Sequence, residues 1–212
     1  ADGGSNYNYY VVSKFEAPST WTQPAVINAT ASSITALDVT SLGEFQVGEA
    51  LCIVNIPDPN FKNALLANSA INTNFDLEIQ CYEAAAYTGN ISVPNAGITD
   101  LTGIEAFTSL TDLNVAYNNL GTLNLSGNTA LTFLDCSYCN LTSLDVSANT
   151  MLDKLFCFNN SLTSIDVSTN TLLTELDFSA NQIVTADISN HALLTELICY
   201  ENQLTSLNVT GN

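Results

Sequence analysis

The sequence predicts a mainly β solenoid of stacked 21-residue units over residues 91–212, a small helical N-terminal cap over 56–90 and a β-rich extension over 1–55. Two observations carry the solenoid. The first is self-similarity at a fixed period. The pairs Leu110/Leu113, Leu131/Leu134, Leu152/Leu155, Leu173/Leu176 and Leu194/Leu197 follow one another in steps of 21 residues. Three more apolar columns keep the same step: Val115, Cys136, Cys157, Phe178, Cys199; then Leu120, Leu141, Leu162, Ile183, Leu204; then Leu123, Leu144, Ile165, Ala186, Leu207. The second observation is a polar column, Asn118, Cys139, Asn160, Asn181, Asn202, set two residues before the Leu120 column. A unit this short cannot bury an apolar face alone, so neighbouring copies must stack.

Together the columns spell L-x-x-L-x-[VCF]-x-x-[NC]-x-L, the leucine-rich-repeat pattern. The polar column sits where the chain turns out of the strand, and stacked amides there can bond the backbone of the turn. Cys139 is the accepted alternative to Asn. The second half of each unit also alternates polar and apolar, at Thr122–Ser126, Ser143–Ser147, Ser164–Ser168, Thr185–Ser189 and Ser206–Thr210. That period of two is the mark of a half-buried strand. The expectation is therefore two parallel sheets, one per face, joined by short turns at S-x-N-T.

Upstream, Ile91, Val93, Ile98 and Leu101 fit the columns as a degenerate first repeat. Before it, Phe61, Ala64, Leu65 and Asn68 have helical spacing over Phe61–Ile71, with Pro57-Asp58-Pro59 as the start signal. A solenoid needs its first apolar layer covered, and residues 56–90 supply that cover. Residues 1–55 hold the sole tryptophan, Trp21, a cluster of Tyr7, Tyr9 and Tyr10, and β-branched runs at Tyr9–Val12, Ala25–Ile27 and Ile34–Val39. Pro18 and Pro24 interrupt them, which reads as several short strands.

Charge narrows the partners. The net charge is −18, there is no arginine, and Lys14, Lys62 and Lys154 are the three cations. Phosphate recognition needs clustered Lys and Arg, so nucleic acid and anionic membrane are excluded as direct partners. No apolar run reaches the ~20 residues of a membrane span. The opening Ala1-Asp-Gly-Gly-Ser5 reads as a mature terminus after processing.

At this level the sequence resembles secreted leucine-rich-repeat proteins of Bacteroidetes-type bacteria, related in style to the internalins. The resemblance is carried by Ile56-Pro-Asp-Pro-Asn-Phe-Lys-Asn-Ala-Leu65, Ile71-Asn-Thr-Asn74, Gly97-Ile-Thr-Asp-Leu-Thr-Gly-Ile-Glu-Ala-Phe107 and the L-T-S-L-D-V-S-x-N-T repeats, and covers about residues 53–212. It implies export, a cell-surface or extracellular location, and roles in adhesion or binding.

Few motifs carry chemistry. Asn72, Asn74, Asp76, Glu78 and Glu83 stand at the ligand spacing of an EF-hand calcium loop, but Leu77 occupies the place of the turn glycine. They are candidate calcium ligands, set against a metal-free loop of the cap. Cys136, Cys157 and Cys199 share an inward column and read as free core residues. The C-x-x-C at Cys136 and Cys139 is absorbed by two repeat columns. Cys52 and Cys81 flank the cap and could bridge in an oxidising compartment. No G-x-S-x-G, H-E-x-x-H or P-loop occurs, and His191, the only histidine, lies at a turn between repeats. The expectation is a non-enzyme.

The outward strand positions say more. Phe133, Tyr138, Phe156, Phe158 and Tyr200 should cluster on one sheet face among acids, as interaction sites do. The opposite face carries Asn124, Asp145, Asp166, Asp187 and Asn208, stacked side chains whose carboxylates repel one another and would welcome cations. Two functions follow. One is an extracellular protein- or glycan-binding adhesion module of a bacterial surface. The other is a subunit of a head-to-tail filament: the sequence stops mid-repeat at Asn212, and residues 1–55 are the candidate cover for a neighbour's open end.

Overall fold

The structure is a computed structural model that describes residues 52–212 in full and, before them, the backbone of five short strands. It divides into two compact units, residues 1–53 and 54–212. In the first unit, β1 (Val12–Glu16) pairs antiparallel with β2 (Thr20–Thr22) and with β5 (Phe45–Val47), while β3 (Asn28–Thr30) and β4 (Ser33–Thr35) form a separate antiparallel pair. Short strands are thus present in the extension. The tyrosines Tyr7, Tyr9 and Tyr10 lie outside the described residues.

The second unit opens with helix α1 (Pro59–Leu66). Asp58 starts it: its Oδ1 accepts the backbone N–H groups of Asn60 at 2.9 Å and Phe61 at 3.0 Å, and Pro59 fills the first turn where no N–H is needed. The helix stops at Leu66, short of the expected Ile71. Asn68 ends the segment by accepting the N–H of Ala70 at 3.0 Å, the local side-chain bond that draws Asn out of helices. A second helix, α2 (Cys81–Ala86), was not anticipated; Glu83 Oε2 accepts the N–H of Gln80 at 3.0 Å and fixes its start. Phe61, Leu65, Ile71, Ile79 and Ala84 bury against Ile91, Ile98 and Leu101, so cap and repeats share one core.

The repeats follow as β6 (Asn90–Ser92), β7 (Asp112–Asn114), β8 (Phe133–Asp135), β9 (Lys154–Phe156), β10 (Glu175–Asp177), β11 (Thr185–Asp187), β12 (Glu196–Ile198) and β13 (Ser206–Asn208). Six of them form one parallel sheet in the order β12-β10-β9-β8-β7-β6. Its register is the sequence period: Ile91, Leu113, Leu134, Leu155, Leu176 and Leu197 stand side by side. The degenerate first repeat is real, since β6 pairs with β7.

The second sheet is smaller than expected. Only β11 and β13 pair, and the segments at 122–126, 143–147 and 164–168 are not strands. Alternation reports which side chains are buried, and an extended segment buries every second one whether or not its backbone pairs. Leu125, Val146, Val167 and Ile188 are all buried as the pattern requires. The main columns are also buried, with Leu110, Leu131, Leu152 and Leu173 fully inaccessible. At ~2–5 kcal/mol for each Leu truncated to Ala, these columns dominate the stability of the stack.

Two polar ladders run through this core. In the first, Asn118, Asn160, Asn181 and Asn202 each donate from Nδ2 to a carbonyl of their own turn and to one in the repeat before. Asn181, for example, donates to Phe178 O at 3.0 Å and Cys157 O at 3.1 Å. Each Oδ1 accepts a backbone N–H of the preceding repeat, as Asn181 does from Leu162 at 2.9 Å. At Cys139 the thiol donates to Val115 O at 3.2 Å instead. It leaves the acceptor half undone, and the N–H of Leu120 goes to the Cys139 backbone carbonyl at 3.1 Å. The second ladder is Asn128, Asn149 and Asn170, all fully buried, each donating to a carbonyl 24 residues back at 2.8 to 3.1 Å. His191 is its next rung: Nε2 lies 3.0 Å from Val167 O, also 24 residues back, and Nδ1 lies 3.2 Å from Ile188 O and 3.1 Å from Ser189 O.

Candidate binding face

The long sheet places its outward residues in columns. Asp112, Phe133, Lys154, Glu175 and Glu196 face each other across successive strands, as do Asn114, Asp135, Phe156, Asp177 and Ile198. Strand alternation predicts that the column two residues on, which holds Ala116, Ser137, Phe158, Ser179 and Tyr200, faces outward as well. Instead Ala116, Ser137 and Ser179 are buried, and only Phe158 and Tyr200 in that column reach the surface. The next position is the turn. Tyr117, Tyr138, Asn159, Ala180 and Glu201 all have positive φ, between 51° and 59°. The Asn rung that follows needs this left-handed step, and residues other than glycine accept ~1 kcal/mol of strain to make it.

Four of the five expected aromatics come together, in two groups. Phe133 and Phe156 meet edge to face at 5.8 Å, and Tyr138 meets Phe158 edge to face at 5.5 Å. Tyr200 is 63 % exposed and stands apart, beyond the rung of Ser179 and Ala180. Tyr117 extends the cluster: it stacks on Tyr138 at 4.4 Å with the rings 11° apart, and both are exposed. Its 21-residue offset from Tyr138 was the signal that could have found it.

Acids surround the aromatics. Among the described residues Lys154 is the one cation of the face, and its Nζ is 2.6 Å from Glu175 Oε1, a half-buried pair in which the carboxylate holds the lysine pKa above its ordinary value. Asp135 Oδ1 accepts the N–H of Ser137 at 3.1 Å, and Asp177 Oδ1 accepts that of Ser179 at 2.9 Å. The opposite face uses its acids in the same way. Asp145, Asp166 and Asp187 accept the N–H two residues on at 2.9, 3.0 and 3.0 Å, and bonds from Ser147, Ser168 and Ser189 hold their pKa values below the ordinary carboxylate value.

The loop read as a calcium site is knit to itself. Glu83 Oε1 accepts the N–H and hydroxyl of Thr73 at 2.7 and 2.8 Å, Asp76 Oδ1 accepts the N–H of Glu78 at 2.8 Å, and Asn72 Nδ2 donates to Leu66 O and Asp76 O at 3.2 and 3.1 Å. Asn74 Nδ2 donates to Asp76 Oδ2 at 2.9 Å, and Glu78 pairs with Lys62 at 2.6 Å. The sharp turn falls at Phe75, with φ 59°, not at Leu77 where a calcium loop bends. Among the described residues no group of three or more His, Cys, Asp or Glu is arranged to hold a metal.

Cys136, Cys139 and Cys157 are buried and free, and Cys199 is partly buried and free. Burial pushes the thiols up, Cys139 to about 11 and Cys136 and Cys157 well above their usual value. Cys52 and Cys81 are both disulfide-bonded. Among the described residues no helix is long and apolar enough to cross a membrane.

Comparison with known proteins agrees with this architecture. The Leucine Rich repeat family model matches residues 108–123 and 169–187. No curated protein matches the sequence. Among solved structures, the functional domain of InlJ from Listeria monocytogenes, described as including a cysteine ladder, superposes with a TM-score of 0.60 at 35 % identity, over 76 % of this chain and 40 % of that one. The chain thus spans less than half the length of that relative. An internalin, InlF, from Listeria monocytogenes str. 4b F2365 gives a TM-score of 0.49 at 17 % identity, over 75 % of this chain and 65 % of that one. The stacked register, the Asn ladder and the match to repeat model and InlJ domain converge: the chain is a leucine-rich-repeat solenoid, internalin-like in fold.

Proposed function

We propose that the chain is an extracellular, non-enzymatic module of a bacterial surface that binds a protein partner and serves adhesion. The observation that carries this reading is the sheet face, where Tyr117, Tyr138 and Phe158 on one side and Phe133 and Phe156 on the other are held in ring contact at the surface of a rigid parallel sheet. Exposed aromatics rimmed by polar groups are the usual anchors of protein interfaces. The disulfide-bonded state of Cys52 and Cys81 supports an oxidising location outside the cytoplasm. The test is attachment of protein-coated beads to a target surface. Phe156→Ala with Phe158→Ala should abolish attachment while circular dichroism stays unchanged; undiminished attachment removes the face from the account.

A further inference from the structure

We propose that the sheet face takes a cationic protein surface, whose arginine side chains stack on Tyr117, Tyr138 and Phe158 and pair with Asp135 and Asp177. This rests on the binding reading above and names the partner's chemistry.

Three observations lead there. The first is uncompensated charge. Across the outward columns Asp112, Asp135, Glu175, Asp177, Glu196 and Glu201 face a single ammonium, Lys154, and that ammonium is already committed to Glu175. The second is the state of the two central carboxylates. Asp177 is 9 % exposed and Asp135 half-buried, and each spends one oxygen on a backbone N–H. Asp177 Oδ1 also accepts the Ser179 hydroxyl at 2.6 Å, and among the described residues no cation pairs with either group. A carboxylate drawn from water without a counter-charge is costly, and an incoming cation relieves that cost.

The third is ring geometry. Tyr117 and Tyr138 stack nearly parallel at an exposed corner, and Phe158 stands edge-on to Tyr138. Aromatic π-faces beside carboxylates form a receptor for a planar cation. Guanidinium both stacks on a ring and bonds a carboxylate in bidentate fashion; an ammonium can do only the point-charge part. Neutral partners gain only hydrogen bonds from the carboxylates and leave their charge uncompensated, and the net charge of −18 repels acidic partners before contact.

The experiment measures fluorescence anisotropy of three labelled peptides of equal length, rich in Arg, Lys or Glu, against the full chain at low and high salt. The expected result is binding of the Arg peptide, weaker binding of the Lys peptide, none of the Glu peptide, and roughly tenfold loss at high salt. Asp135→Asn with Asp177→Asn should weaken the Arg peptide roughly tenfold, as should Tyr117→Ala with Tyr138→Ala. Asp145→Asn with Asp166→Asn removes the same charge from the opposite face and should leave binding unchanged. Both Asn pairs keep the side-chain oxygen that caps the local turn, and thermal melts confirm folding.

Equal loss from the two faces, or equal affinity for the Arg and Lys peptides, overturns the proposal. So does binding of a neutral glycan that depends on the same aromatics. A protein ligand lost with Phe156→Ala and Phe158→Ala but indifferent to salt and to the Asp135 and Asp177 substitutions would keep the binding reading and reject the cationic partner.

Discussion

Replacing Asn181 by alanine should cost about 2–4 kcal/mol of unfolding free energy, and the figure can be worked from its bonds. The buried amide makes four bonds. Its Oδ1 is the acceptor for Leu162 N–H at 2.9 Å, and removal orphans that donor in the core, a loss of ~1–3 kcal/mol. Its Nδ2 serves three carbonyls, but none is left bare. Cys157 O keeps Asn160 at 3.0 Å, Phe178 O keeps Asn202 at 3.0 Å, and Ser179 O keeps the N–H of Asn159 at 3.0 Å. Those losses are therefore small, about 0.5 kcal/mol each at most. Asn181→Cys should cost less than alanine, because Cys139 shows a thiol supplying the donor half at this position. Asn181→Asp should cost more, since its oxygens would face carbonyls. Urea unfolding followed by circular dichroism gives each value from the midpoint and slope. A cost below ~0.5 kcal/mol for alanine, or equal costs for alanine and cysteine, would refute the ladder reasoning.

Other outcomes follow from the same structure. Burial pushes the Asp58 carboxyl up, but bonds from Thr99, Phe61 and Asn60 outweigh it and hold the pKa below its usual value. Its stabilisation is therefore fully present above the unfolded pKa of ~3.9 and lost as pH falls through the lower folded value, so Asp58→Asn should flatten the acid limb of a stability–pH curve. His191→Asn should be tolerated because Asn fills this rung elsewhere, whereas His191→Ala should cost ~2–3 kcal/mol in the same urea assay, through the loss of the ring N–H and the cavity left by a buried ring, even though Val167 O keeps the N–H of Asn170 at 2.8 Å. The buried thiols should ignore an aromatic disulfide reagent in the native protein at pH 8, with Cys199 reacting first on prolonged exposure.

The period of 21 residues was sufficient to place the long sheet in register, because the side chains that repeat are the ones whose burial requires stacking. It also located the first Asn ladder, because Asn returns at one column position in step with the apolar columns. Other features were hidden for physical reasons. Asn128, Asn149 and Asn170 sit in S-x-N-T stretches that read as solvated turns, and only neighbouring carbonyls make their burial tolerable. The left-handed step at Tyr117 and Tyr138 carries no glycine, so nothing local announced it. That step turned an expected strand column into an exposed corner and brought Tyr117 into the aromatic cluster, while Tyr200 lay beyond it. The second sheet was overextended because period-two burial does not by itself require backbone pairing.

The claim that the aromatic sheet face makes the contact is tested most directly by site-specific photocrosslinking. A photoreactive residue at Asn159, in the turn beside Phe158, is compared with one at Asp166 on the opposite face, in an extracellular-protein extract. A discrete crosslinked partner is expected from position 159, lost with Phe156→Ala and Phe158→Ala, and none from position 166. The same partner captured equally from both positions, or capture indifferent to the two phenylalanines, would contradict it.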